Sequence, residues 1–91
     1  MKIPETIKVG NIVYKIILKK LKTEFGTHDA FKQKIIIGND LTKEMTRNTF
    51  IHELVHAMLF QIGAYKESRD EILVQSLANE IDKLFELKPE K

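Results

Sequence analysis

Polar and apolar residues alternate over Thr6-Ile7-Lys8-Val9, and beyond Gly10-Asn11 comes the β-branched, apolar stretch Ile12 to Leu18. A period of two marks a strand with one face turned to a core, and a Gly-Asn pair between two such runs supplies turn chemistry. The pattern predicts a β-hairpin. Lys19 to Ala30 has no sustained period: Leu21 and Phe25 stand four apart, as on one helical turn, while Gly26-Thr27-His28-Asp29 reads as a loop. Lys34-Ile35-Ile36-Ile37 predicts a short strand, ended by Gly38-Asn39-Asp40. The period then changes. Ile51, Leu54, Val55, Met58 and Ile62 follow the i, i+3, i+4, i+7, i+11 spacing of a buried helical stripe. A helix is expected from about Leu41 to Ile62, with Asp40 or Thr42 as its cap, Glu44 in its first turn and Gly63 at its C-terminal stop. Gly63 to Glu67 reads as a short connection, and Ser68-Arg69-Asp70-Glu71 has the S-x-x-E form of a capping box. A second helix follows to about Leu87, with Val74, Leu77, Ala78, Ile81, Leu84 and Phe85 as its apolar stripe.

Strands first and helices second predict an α+β fold, a small and mostly antiparallel sheet (the hairpin plus one strand) packed on two long helices. The 91 residues form a single domain, with 1–40 mainly β, 41–87 two helices and 88–91 a frayed tail. That length is near the lower limit for a self-sufficient core, and without cysteine no disulfide or thiolate site can add stability. Any metal ligand must come from His, Asp or Glu. Met1-Lys2-Ile3-Pro4-Glu5 turns polar at once, with no apolar core of a secretory signal, and no stretch approaches the roughly 20 apolar residues of a membrane span. A cytoplasmic protein is expected. Fifteen basic against thirteen acidic residues leave a net charge of +2, too near balance to predict nucleic-acid binding. The local cluster Lys15, Lys19, Lys20, Lys22 reads as a solvated strand end and loop.

Chemistry concentrates in His52-Glu53-Leu54-Val55-His56. Residues i and i+4 lie one turn apart on the same helix face, so both imidazoles point the same way and form half of a tetrahedral zinc site. Glu53, about 100° round the helix, reaches a metal-activated water without ligating the metal, as a general base must. This is the HExxH signature of zinc-dependent metallopeptidases.

A catalytic zinc takes three protein ligands and keeps a position open. Glu71, at the start of the last helix, comes back towards His56 in a helical hairpin. It is the leading third ligand, with Gln75 one turn on placed to hydrogen-bond a ligand from behind. Alternatives stand beside it: Glu71 as the partner of a Ser68 capping box, or Asp70, which aligns with the apolar face, as the ligand. Glu67 and Glu80 are weaker.

HELVH on one helix, with Asp70-Glu71 opening the next, resembles a minimal gluzincin, the HExxH-plus-Glu class of zinc peptidases. The order of hairpin, strand, HExxH helix and a helix carrying Leu77-Ala78-Asn79 resembles small phage- and prophage-encoded metallopeptidase-like proteins, distantly similar to the ImmA/IrrE metallopeptidases. The resemblance implies a zincin-like fold, one zinc ion held by His52, His56 and Glu71, and Glu53 as the catalytic base in hydrolysis of a protein or peptide substrate. It also requires an oxyanion stabiliser, for which His28 and Tyr65 are the candidates. Ile35, Ile36 and Ile37 resemble the zincin edge strand on which an extended substrate pairs. A second function is weighed against this one: a zinc-stabilised binding or regulatory module of the same fold with little or no turnover.

Overall fold

The hairpin forms where the alternation puts it. β1 (Thr6–Val9) and β2 (Ile12–Lys19) pair antiparallel with Val9 opposite Ile12. Gly10 between them takes a φ of +62°, a left-handed conformation that glycine adopts without a Cβ clash. The structure, a computed structural model, describes residues 2–86. The expected tail 88–91 and the expected last helical residue, Leu87, lie outside the described residues.

A strand, β3 (Gly26–Asp29), occupies the segment expected to be a loop, and no helical turn forms around Leu21 and Phe25. Gly-Thr-His-Asp has turn-forming composition and no apolar alternation. It is extended because its backbone pairs antiparallel with β4 (Lys34–Gly38), Gly26 opposite Ile37 and Asp29 opposite Lys34. Asp29 closes the connection, its carboxylate accepting from the N–H groups of Phe31 and Lys32 at 3.0 Å each. β4 runs parallel to β2, giving a mixed sheet in the order β1-β2-β4-β3. The α+β class stands, but the sheet has four strands and its central pairing is parallel. Ile35, Ile36 and Ile37 are therefore not an edge strand. β2 and β3 take both sides of their backbone, and the edge strands of the sheet are β1 and β3.

α1 (Lys43–Gln61) opens at Thr42, whose Oγ1 accepts from the Met45 N–H at 3.1 Å. It closes at Gly63, φ +85°, where the Gly63 and Ala64 N–H groups bond the Phe60 and Leu59 carbonyls. One short helix, α2 (Tyr65–Ser68), fills the expected connection before α3 (Glu71–Glu86). The capping box does not form. The Ser68 hydroxyl donates to the His56 carbonyl at 3.0 Å, and Asp70 caps α3, its Oδ1 accepting from the Leu73 N–H at 3.1 Å.

α1 is packed on two sides. Tyr14, Ile35 and Ile37 of the sheet meet Phe50 and Ala57 on one side, and Val74 and Ala78 of α3 meet Ile51 and Val55 on the other. The single stripe expected for this helix is thus divided: Phe50 and Ala57 are buried, whereas Met58 is 42% and Ile62 76% exposed. On α3 the buried stripe narrows to Val74 and Ala78 with Ile81 beside them, leaving Leu77, Leu84 and Phe85 exposed.

Pleat alternation in β4 makes a test. Ile35 and Ile37 are fully buried against α1, while Ile36 points to the other face and is only half-buried. Ile35→Ala should cost roughly 2–5 kcal/mol in denaturant unfolding, and Ile36→Ala clearly less. Equal losses would contradict this register.

Candidate metal centre

His52 and His56 project from α1 toward the first turn of α3, with side chains 16% and 12% exposed. His52 Nε2 lies 3.0 Å from one carboxylate oxygen of Glu71, and His56 Nε2 lies 3.2 Å from the other. The far nitrogens are held as well. His52 Nδ1 donates to Gln75 Oε1 at 2.7 Å, and His56 Nδ1 donates to the Ser68 carbonyl at 2.5 Å. With both Nδ1 atoms as donors, the uncharged form of either ring would turn a bare Nε2 lone pair on Glu71. Two lone pairs facing a carboxylate repel unless a proton or a cation sits among them. Metal–ligand bonds of 2.0–2.1 Å in a tetrahedral site set neighbouring donors roughly 3.3 Å apart, near the 3.0 Å and 3.2 Å between each histidine and its Glu71 oxygen. Among the described residues, His52, His56 and Glu71 form a group that could hold a metal ion, their donor atoms all within 4.8 Å.

Local chain geometry explains why Glu71 supplies this corner. Asp70, the alternative ligand, is committed to capping α3. Ser68, the alternative partner for Glu71, is committed to the His56 carbonyl, and its own carbonyl orients the His56 ring. Glu71 is left with a 68% exposed side chain reaching back over both histidines.

Glu53 is 5% exposed beneath this group. Its carboxyl pKa is pushed up to about 8, first by burial and second by the negative charge of Glu71. β3 lies directly over it. A Cβ on Gly26 would stand 2.7 Å from Thr49 Cγ2, 3.0 Å from the Ile36 carbonyl oxygen and 3.3 Å from Glu53 Cγ, so only glycine lets the edge strand approach so closely.

His28 follows on β3 and lines the same cleft as Glu53, His52, His56, Glu71 and Gln75, a space of about 650 Å³. Its ring is parallel to that of His56 with centroids 6.2 Å apart, and its Nε2 meets the hydroxyl of fully buried Tyr14 at 3.0 Å. Burial first, then the neighbouring His56, lowers the His28 pKa against a smaller opposing effect of Asp29. Burial also raises that of Tyr14, with Asp29 adding to it. Tyr65, the other candidate for the oxyanion, packs on Phe60 at 5.0 Å and is not among the residues lining the cleft. Ile35 and Ile37 face the core rather than the cleft.

A polar set escaped the sequence reading: Tyr14 behind His28, and Asn48, Asn79, Asp82 and Arg47 behind Gln75. The available signal was spacing. Asn48 precedes His52 by one helical turn, and Gln75, Asn79 and Asp82 recur at four and three on α3.

Glu53 gives a pH signature in metal-free protein. At pH values between its ordinary 4.5 and about 8 the native carboxyl holds a proton that the unfolded chain has released. Stability must then fall as pH rises through that window. Glu53→Gln has no such proton, so its stability advantage over the parent should grow by up to about 1.4 kcal/mol per pH unit and level off above pH 8. Chelator-treated samples unfolded with urea from pH 5 to 9 measure it, and parallel pH profiles would reject the shift.

Among the described residues no helix is long and apolar enough to cross a membrane. Set against known proteins, the chain matches no family model, no curated protein and no solved structure.

Proposed function

We propose that this protein is a zinc-dependent peptidase of the gluzincin type, with a zincin-like site, acting on a protein or peptide substrate. One observation carries the reading: the Nε2 atoms of His52 and His56 converge on the Glu71 carboxylate, the three donors within 4.8 Å of one another and each ring fixed from behind, beside the buried carboxyl of Glu53. Two imidazoles and a carboxylate suit zinc among the divalent ions. When bound, zinc supplies Lewis acidity for activating water and polarising a carbonyl.

The chain's own residues provide the rest. A cation above Glu53 counters the two effects that raise its pKa, so the carboxylate form becomes available as a base. Glu53 takes a proton from the attacking water and delivers it to the leaving amine. The outer edge of β3 has free backbone donors and acceptors beside the cleft, and an extended peptide pairs there by β-addition. This edge takes the role first expected of Ile35–Ile37. His28, on β3 and oriented by the Tyr14 hydroxyl from β2, lines the cleft and donates a hydrogen bond to the developing oxyanion.

Metal content comes first, measured by mass spectrometry on tag-free protein purified without chelator. The parent should carry about one zinc per chain, and Glu71→Ala much less. Cleavage is then followed by mass spectrometry on a library of unstructured peptides. Glu53→Gln should abolish it with zinc retained. Zinc bound without any cleavage by the parent would favour the binding-module function instead, and no zinc in the parent would end both readings.

His28→Gln should keep its zinc and lower kcat about 10²-fold or more, with KM little changed. Tyr14→Phe should lower kcat less. An unchanged kcat in His28→Gln would remove His28 from the chemistry.

A further inference from the structure

Behind His52 runs a continuous chain of hydrogen bonds between α1 and α3. Gln75 Oε1 accepts from His52 Nδ1, and Gln75 Nε2 donates to Asn48 Oδ1 at 3.1 Å and to Asn79 Oδ1 at 2.7 Å. Asn48 Nδ2 donates to Asn79 Oδ1 at 3.2 Å and to Asp82 Oδ2 at 3.0 Å, and Asp82 Oδ1 accepts from Arg47 Nε. Asp82 is only 9% exposed.

A side-chain amide is nearly symmetric in shape but has a donor end and an acceptor end. Shape alone therefore leaves Asn48 and Gln75 free to point either way. A carboxylate paired with a guanidinium can only accept, and this breaks the symmetry. Asp82 requires the Asn48 nitrogen, which turns the Asn48 oxygen toward Gln75. Gln75 must answer with its nitrogen, which turns its oxygen toward His52. An oxygen at that point requires the proton on His52 Nδ1 and leaves Nε2 bare on the side of Glu71.

We infer that Asp82 is a positioning residue that sets the His52 tautomer from three hydrogen bonds away, through the dipoles of Asn48 and Gln75. The inference deepens the metal-site reading and rests on it for its effect on zinc, while the tautomer itself exists in metal-free protein. The reversed chain is also fully bonded: an amide at position 82 donating to Asn48 Oδ1, Asn48 Nδ2 donating to Gln75 Oε1, and Gln75 Nε2 donating to His52 Nδ1. In that arrangement the proton moves to Nε2 and blocks the ligand atom. A carboxylate at position 82 forbids it.

Asp82→Asn keeps the shape and removes the direction. The readout is imidazole two-bond ¹H–¹⁵N correlation on zinc-free protein at about pH 8, above the ordinary imidazole pKa of about 6.5. The parent should show His52 protonated at Nδ1, and Asp82→Asn should show a substantial Nε2–H population. Zinc affinity by chelator competition should fall about tenfold. Adding Gln75→Glu places an acceptor-only group next to His52, so the double variant should regain the Nδ1–H tautomer and most of the affinity. A purely structural role for Asp82 predicts no such rescue. If Asp82→Asn does not fold by circular dichroism, Asn48→Ala cuts the same chain and should give the same mixed tautomer. An unchanged tautomer in the folded variant, or a loss of affinity that Gln75→Glu does not restore, would overturn the inference. A parent that binds no zinc would sink the peptidase reading alone, because the tautomer comparison would still decide the role of Asp82.

Discussion

The middle helix has to satisfy two packing partners at once, and the rest of the molecule follows from that. Phe50 and Ala57 bind α1 to the sheet, while Ile51 and Val55 bind it to α3. Little of its circumference remains, and the residues on that remainder are Thr49, His52, Glu53 and His56, which line the cleft. Both walls of the cleft are thereby fixed by core packing: β3 lies on one side of the helix and the start of α3 on the other. The ligand geometry is consequently precise where the helix is clamped and open where Glu71 reaches in from solvent.

Much of this was legible in the sequence because it is written in local periods. The i, i+4 histidines, the neighbouring glutamate and the Thr42 cap depend on helical geometry within one or two turns, and the return of Glu71 to His56 needs only the short connection that folds α3 back on α1. Features that depend on tertiary pairing were not legible. Gly26-Thr27-His28-Asp29 has loop composition, and only its ladder with β4 makes it a strand. That ladder also moves Ile35–Ile37 from the edge to the interior, so the two errors have one cause. The capping box failed similarly. Ser68 and Glu71 have the right spacing, but each side chain is held by α1, Ser68 at the His56 carbonyl and Glu71 at the two Nε2 atoms. Asn48, Asn79 and Asp82 come together only when α1 and α3 are laid side by side.

A site built from acceptors in a half-buried cleft is costly for the fold alone. Burial and the negative charge of Glu71 both oppose ionisation of Glu53, and His52 and His56 turn their Nε2 atoms into the same space. A bound cation offsets these effects, and a ligand that binds only the native state adds its binding energy to stability. The arrangement that makes the metal-free site uncomfortable is the one that makes a cation fit it.

The same logic accounts for the polar seam between α1 and α3. An apolar seam would pack as well, since exchanging a buried ion pair for hydrophobic contacts is often neutral or stabilising. Hydrophobic contacts carry no direction, however. A histidine used as a ligand has to present a lone pair on one named nitrogen, and the opposite tautomer has the same shape and the same charge. Packing cannot tell the two apart, whereas a chain of dipoles ending in an acceptor can. The cost of burying Asp82 and Arg47 is then tied to a property that affects His52 rather than the stability of the helix pair.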